Sequence, residues 1–200
     1  MKGKSFPPGI FYCENGDSFK GNEWSVSELA EGVRSLAKSF DRDIQLLLGG
    51  PPFTSEVQRE IQNFIDYQDC NLPRRKRSSL GMCAFEENQG VIGYQAMTLL
   101  RDANPTPYER DNIGLDKPLN YAHLKLTMTH PDYWGTRVSS DLLQMRLNIA
   151  RRVANFAVVD IKAENERSLG FFAKHDFQDS FLWQTPKGTV MQRMTRDLSL

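Results

Sequence analysis

The segment from Thr129 to Leu143 has the residue types best suited to chemistry. It leaves an apolar run, turns through Pro131 and Gly135, and enters a stretch of helical spacing whose first residues are small and polar. A helix that begins after a tight loop presents unpaired N–H groups and the positive end of its dipole, and such a site binds anions, phosphate above all. An ordinary capped helix after a strand has the same pattern, so this segment alone leaves both interpretations open.

A second segment, from Ala163 to Phe177, favours the anion site, because the two segments together resemble the GNAT acetyltransferase superfamily. Its members typically have Pro-x-Tyr-Arg-Gly-x-Gly-x-Gly/Ala at the start of the third helix and Asn-x-x-Ala/Ser-x-x-Phe/Leu-Tyr-x-x-x-Gly-Phe after the fifth strand. The first pattern is matched by Pro131, Tyr133, Gly135, Val138, Leu142 and Leu143, and the second by Asn165, Ser168, Phe171 and Phe177. In addition, Val91–Tyr94 is similar to the family's strand before the central loop. The resemblance extends from about Leu80 to Leu198.

The resemblance implies an N-acetyltransferase that moves an acetyl group directly from acetyl-CoA, a co-substrate, to an amine. It also implies that the oxyanion is met by a backbone N–H near the end of the fourth strand, at Met128 or Thr129. The residues that the resemblance places against acetyl-CoA are Met128, Thr129, Trp134, Gly135, Thr136, Arg137, Val138, Ser139, Ser140, Asn165, Ser168 and Phe172. For Asn165 the alternative is a helix N-cap, and for Ser168 it is tight packing; both roles can coexist.

Three positions of the phosphate motif depart from the family. Trp134, Arg137 and Ser139 stand where members have Arg or Gln and then Gly or Ala. Glycine lets the backbone approach a diphosphate without a Cβ in the way, so Arg137 either blocks that approach or points outward and offers its guanidinium to a phosphate. Because Trp134, Arg137 and Phe172 stand where the motifs have working residues, a second hypothesis stays open, in which the chain is a catalytically degenerate binding or regulatory protein of the same fold.

The candidate catalytic residue is His123. Members of the family commonly have a carboxylate base early in the fourth strand, and the corresponding position here is His123. An imidazole titrates at about pH 6.5 and is a suitable base at neutral pH; the alternative is a half-buried histidine satisfied by a neighbour. The family's usual acid, a tyrosine, is replaced by Phe172, so protonation of the thiolate is left to water, to Tyr94 or Tyr133, or to no group at all.

Composition limits the class of protein. The 200 residues carry 25 Lys+Arg and 25 Asp+Glu, and this net charge of zero argues against a nucleic-acid or anionic-lipid partner. A basic run, Arg74–Arg77, keeps an RNA-amine acetyltransferase as a further alternative, although the neutral chain and the lack of interleaved aromatic residues favour a solvated loop. No apolar run is long enough for a membrane span. Cys13, Cys70 and Cys83 lack metal-ligand spacing, so we expect no metal, reduced thiols and a cytoplasmic location.

The order of the predicted strands and helices, together with the GNAT resemblance, indicates an α+β fold. It consists of a mixed, mostly antiparallel sheet of six to seven strands with helices on both faces. We expect one domain over residues 1–200, with an N-terminal strand and two helices in 1–79 and the acyl-CoA-binding core in 80–200, acting as a monomer or homodimer on a small-molecule or peptide amine. Periodicity predicts strands at 10–13, 80–85, 91–100, 121–129, 156–161, 177–184 and 189–195 and helices from Ser25, from Thr54, at 139–154 and at 166–174.

Within the strand 121–129, strict alternation predicts two faces. Leu124, Leu126 and Met128 lie on one, and His123, Lys125, Thr127 and Thr129 lie on the other.

Overall fold

The computed structural model describes residues 9–14, 26–40, 77–86, 89–103 and 119–199. In these residues the elements follow in the order β1 (Gly9–Glu14), α1 (Val26–Lys38), β2 (Arg77–Glu86), β3 (Gly90–Ala103), β4 (Leu119–Thr129), a 3-10 turn (Pro131–Tyr133), α2 (Val138–Ala150), β5 (Phe156–Lys162), α3 (Glu166–Ala173), β6 (Gln178–Gln184) and β7 (Val190–Asp197). The predicted helix from Thr54, most of the connection from Asp102 to Pro118, and the side chains of the basic run Arg74–Arg77 lie outside the described residues.

The strands form one seven-stranded sheet in the order β1-β2-β3-β4-β5-β7-β6. Every neighbouring pair is antiparallel except β4 and β5, which are parallel and are joined through α2. The predicted α+β architecture, with a mixed and mostly antiparallel sheet, is therefore confirmed. The two predicted hairpins correspond to β2–β3 and β6–β7.

The sheet opens between β4 and β5. The two strands pair only from Tyr121 to Leu124 on β4 and from Phe156 to Val159 on β5. Beyond this point β5 continues along β7 as far as Lys162, while β4 continues along β3 as far as Thr129. The two strands therefore diverge in the middle of the sheet, and we call the opening between their C-terminal halves the β4–β5 gap.

The strict alternation predicted for β4 is wrong beyond Lys125. The β3–β4 register shifts so that Ala96 pairs with Lys125 while the preceding Gln95 pairs with Thr127, which leaves Leu126 as the extra residue of a β-bulge, at φ +26°. A bulge reverses the faces of the residues that follow it. Thr127 and Thr129 consequently share a face with Leu124, and both contact α2, whereas Met128 joins His123 and Lys125 on the other face.

Helices cover both faces, as predicted. The face with α2 and α3 holds an apolar cluster to which β2, β3, β4, α2, β5, α3 and β7 contribute buried residues. Val33, Leu36 and Ala37 of α1 are buried outside that cluster, as are the alternate β-strand residues Cys83 and Tyr94. Close approach of α2 depends on Gly93, because a Cβ there would lie 2.9 Å from Val138 Cγ1. The predicted helix 139–154 is shorter than expected, since residues 151–153 form a turn after Ala150.

Candidate functional site

The point where β4 and β5 diverge carries a cluster of polar side chains. His123 lies one residue before the last β4–β5 pair, and Asp160 lies one residue after it. His123 Nε2 is 3.3 Å from Asp160 Oδ2, so the two side chains meet at the closed end of the β4–β5 gap. Their side chains are 29% and 11% exposed, which leaves the imidazole open to solvent on one side.

Asp160 is held by two further side chains. Arg193 lies directly opposite it on β7 and donates from Nε to Oδ1 at 2.7 Å and from Nη2 to Oδ2 at 2.8 Å. Trp183 on β6 donates from Nε1 to Oδ1 at 3.1 Å. Burial alone would raise the pKa of Asp160, but the hydrogen bonds from His123 and Arg193 and the charge of Arg193 outweigh it and hold that pKa well below its usual range. The carboxylate is therefore ionised at neutral pH.

The end of β4 turns one row of backbone groups toward the gap. His130 N–H donates to Ile92 O on β3 at 2.8 Å, so the His130 amide points away from the gap. Because successive residues of a strand direct their amides to opposite edges, the Thr129 amide faces the gap and the Met128 amide faces β3. The Thr129 carbonyl fits this direction, since it accepts a hydrogen bond from Trp134 Nε1 at 2.8 Å rather than from β3.

The loop that follows β4 leads into the exposed N-terminus of α2. Gly135 takes φ +77°, a conformation that strongly favours glycine, and Thr136 Oγ1 accepts from Val138 N–H at 3.4 Å. The first hydrogen bond within the helix is donated by the Asp141 N–H to Arg137 O at 2.8 Å. Arg137 at the N-cap supplies no side-chain hydrogen bond, so the Ser139 and Ser140 amides stand ahead of the first helical bond.

Arg137 points outward. Its side chain is 89% exposed, and its Nη2 lies 3.4 Å from Asp141 Oδ1. Of the two orientations that the sequence leaves open, the structure has the one in which the guanidinium does not block the helix N-terminus.

The two serines of α2 have different partners. Ser139 Oγ is 2.6 Å from Thr129 Oγ1, and the Ser139 carbonyl accepts from Gln95 Nε2 at 3.0 Å, so Ser139 ties the helix to the end of β4. Ser140 Oγ is 3.1 Å from His175 Nε2, which ties α2 to the end of α3. The pKa of His175 is lowered by burial and by the nearby charge of Arg196.

Trp134 joins the two sides of the gap. Its indole is anchored to Thr129 O at the end of β4, and Arg167 from the first turn of α3 stacks on it, with Cζ 3.6 Å from the ring centroid. Phe40, just beyond α1, packs on the same indole at 6.5 Å between centroids. Sequence alone gave no indication of this stack, because Arg167 and Phe40 belong to no motif.

The predicted residues of α3 lie on the β5 side of the gap. Asn165 is the N-cap, and its Oδ1 accepts from the Ser168 N–H at 3.0 Å. Phe172 is 3% exposed and packs edge-on against Phe171 and Phe177. The structure thus brings the predicted residues of β4, the loop and the start of α2 together, with Asn165 and Ser168 across the gap.

Sequence reasoning missed Arg146, a fully buried arginine on α2. Its Nη1 donates to Ala96 O at 2.9 Å and to Lys125 O at 3.2 Å, and its Nη2 donates to Thr127 Oγ1 at 3.2 Å. These acceptors flank the β4 bulge, so the guanidinium satisfies groups at the irregular part of the ladder. Burial lowers the pKa of Arg146 to about 9. An arginine four residues from Leu142 on an apolar helix is the one signal that could have drawn attention to it.

Comparison with known proteins identifies this arrangement. The profile described as the acetyltransferase (GNAT) family matches residues 43–177, which is more than half of the chain. The chain belongs to the GNAT acetyltransferase family. The motifs at Pro131–Leu143 and Asn165–Phe177 predicted this family, and the match confirms that prediction. Among curated protein sequences, none matches this chain.

Solved structures of the same fold are distant in sequence. The ribosomal-protein-S18-alanine N-acetyltransferase of Escherichia coli superposes with a TM-score of 0.57 at 11% identity, over 96% of this chain and 95% of that one. An aminoglycoside N(6')acetyltransferase of Legionella pneumophila gives 0.56 at 12%, over 94% and 92%. A phosphinothricin acetyltransferase of Sinorhizobium meliloti, in complex with AcCoA, gives 0.52 at 15%, over 84% of each chain. At these identities the likeness shows the GNAT fold.

The described residues contain no group of three or more His, Cys, Asp and Glu side chains arranged to hold a metal ion. Within the same residues, no helix combines the length and the apolar character needed to cross a membrane.

Proposed function

We propose that the protein is an N-acetyltransferase that transfers an acetyl group directly from acetyl-CoA to an amine. The observation that carries this proposal is the β4–β5 gap. It has an unpaired strand edge at Thr129, a histidine at its closed end and the N-terminus of a long helix beside its open end. A thioester chain can enter between two such strands only where they no longer pair.

The loop and the first turn of α2 would hold the diphosphate of the co-substrate. The amides of residues 135–140 and the helix dipole favour an anion there, and the positive φ of Gly135 brings the backbone to the surface. Arg137 is exposed at the same place and can add a charge-assisted contact. Across the gap, Asn165 and Ser168 stand where the family pattern meets the CoA arm.

His123 acts as the base in this proposal. The attacking amine nitrogen forms a bond to the acetyl carbon and gives up a proton to the imidazole, while the bond from that carbon to sulfur breaks. The Thr129 amide, which faces the gap, donates to the carbonyl oxygen as its negative charge grows. A thiolate departs and takes its proton from water.

The side chains considered as acids are less well suited than water to give a proton to the thiolate. Phe172 has no proton to give. Burial and the hydrogen bond to Glu86, whose Oε2 lies 2.5 Å from the hydroxyl, raise the pKa of Tyr133 to about 12. Tyr94 is buried on the β3 strand. Water is therefore the donor that we propose.

For the acceptor we propose a small-molecule or peptide amine. The enzymes with this fold are named for a protein alanine, an aminoglycoside and phosphinothricin, so the fold permits both classes. We further propose a cytoplasmic location, which suits the buried thiol of Cys83.

The test has two arms. Calorimetric titration with acetyl-CoA measures binding, and release of free thiol in the presence of an amine panel measures turnover. We expect micromolar binding and thiol release that falls about 10²–10⁴-fold in His123→Ala, the usual contribution of a general base. His130→Ala is the matched control, because the His130 ring lies on the loop, where it contacts Asp132 and Tyr133. Binding without thiol release for any amine would contradict turnover and favour the second hypothesis, a degenerate binding protein, for which the Trp134–Arg167 stack and Phe172 are the motivation.

A further inference from the structure

We propose that Asp160 is a positioning residue that fixes the tautomer of His123, so that Nε2 carries the hydrogen and Nδ1 is the atom that takes the proton from the acceptor amine. This inference rests on the proposed function, because it specifies how His123 works as a base. It names a residue, a ring nitrogen and a direction of approach for the acceptor.

The first step is the chemistry of the contact. His123 Nε2 faces Asp160 Oδ2 at 3.3 Å, and an ionised carboxylate can only accept hydrogen bonds. A neutral imidazole that meets it through Nε2 must therefore hold its hydrogen on Nε2. Its lone pair is then on Nδ1, the nitrogen that a substrate amine must reach.

The second step is the rigidity of the carboxylate. Asp160 receives a bidentate contact from Arg193, its direct cross-strand partner, and a third donor from Trp183 on the next strand. Three strands thus hold one carboxylate, and planar bidentate pairs fix both distance and orientation. Neither oxygen can turn away from His123 without losing a charge-assisted hydrogen bond.

The third step is where the pair stands. Asp160 is the first β5 residue beyond the β4–β5 pairing, so the carboxylate reaches His123 across the closed end of the gap. When Nδ1 takes a proton, the imidazolium still donates from Nε2 to the same carboxylate, and Arg193 on the far side keeps that carboxylate from being protonated itself. The acceptor amine must consequently approach the ring from its Nδ1 edge.

The test is Asp160→Asn. The amide oxygen of Asn is expected to take the Oδ1 position, where Arg193 Nε and Trp183 Nε1 donate, because the Oδ1 position has two donors from the protein. The NH₂ group then takes the Oδ2 position, where it loses the bond from Arg193 Nη2 and faces His123 Nε2. That nitrogen would then have to accept, and the hydrogen would move to Nδ1. A carboxylate-to-amide exchange beside a catalytic histidine lowers kcat by up to about 10⁴-fold through the wrong tautomer.

Long-range ¹H–¹⁵N correlation spectra of ¹⁵N-histidine protein report the tautomer directly, and His123→Gln assigns the signal among the three histidines. We expect the Nε2–H form in the wild type, the Nδ1–H form in Asp160→Asn, and a fall in kcat of about 10²–10⁴-fold with KM for acetyl-CoA nearly unchanged. Trp183→Phe, which removes one donor and leaves Arg193, should keep the Nε2–H form.

An Nδ1–H form in the wild type, or an unchanged tautomer in Asp160→Asn, would overturn the inference. An unchanged kcat in a variant whose tautomer has moved would overturn it as well. If Asp160→Asn does not fold, the wild-type spectrum alone tests the predicted tautomer of His123. The same spectrum tests the tautomer if the wild type releases no thiol, so failure of the proposed function is recognised separately.

Discussion

Removing the buried guanidinium of Arg146 should destabilise the fold much more than removing an exposed arginine from the same helix region. Arg146→Ala would remove the guanidinium donor from Ala96 O, which is buried, and from Lys125 O and Thr127 Oγ1, which are half-buried. An unsatisfied buried acceptor costs about 1–3 kcal/mol, whereas withdrawing a charged group from the interior returns part of its desolvation penalty. The lost side-chain volume adds a cavity term.

These effects together predict a loss of about 2–5 kcal/mol in the free energy of unfolding, the range found when a large buried side chain is truncated to alanine. Arg146→Met should lose about half as much, because it fills the volume and removes the buried charge. Urea denaturation monitored by circular dichroism measures both. The control is Arg151→Ala, whose exposed side chain donates to Asn148 Oδ1 and whose loss should change stability by less than about 0.5 kcal/mol. A loss below about 1 kcal/mol in Arg146→Ala would refute the argument.

Three further predictions follow from the site. Gly93→Ala should lower the free energy of unfolding by about 1–3 kcal/mol and weaken acetyl-CoA binding, because the new Cβ lies 2.9 Å from Val138 Cγ1 and 3.0 Å from Leu142 Cδ1. Gly170→Ala, where the new Cβ meets no atom of another element within 4 Å, should stabilise α3 by up to about 1 kcal/mol in the same denaturation assay. Arg137→Ala should weaken acetyl-CoA binding about tenfold by calorimetry with little change in Tm, since its guanidinium is exposed, and equal affinity would remove it from the phosphate site. Because the pKa of Asp160 is lower in the folded state than the unfolded value of about 3.9, the ionised carboxylate stabilises the fold fully above that value, and this stabilisation is lost as the pH falls below it. The Tm difference between wild type and Asp160→Asn should therefore shrink between about pH 5 and pH 2. A constant difference would contradict the ionised pair.

Local patterns were enough to predict most of the elements, because hydrophobic periodicity and Gly-rich turns act over a few residues. The hairpin β2–β3 and the buried strand β5 are examples. The N-cap role, which the sequence offered as the alternative for Asn165, is also present. The end of α2 was placed too late, since the apolar spacing continues through Val153 although the helix ends at Ala150.

The bulge at Leu126 could not be predicted from β4 alone. Its apolar–polar alternation is intact in the sequence, and only the β3 register and the donors from Arg146 show that the faces reverse after Lys125. The same applies to Asp160. It stands as a lone charge in an apolar strand, and its partners His123, Arg193 and Trp183 come from three other strands. Such contacts depend on strand order, which a single sequence does not specify.

Titration of ¹⁵N-labelled protein with acetyl-CoA tests the central claim most directly, because amide shifts report the place of binding. The account predicts saturable binding, with the largest shifts at the amides of residues 135–140 and a second group at Thr127–Thr129. No shifts at millimolar acetyl-CoA, or shifts confined to residues away from the β4–β5 gap, would contradict it.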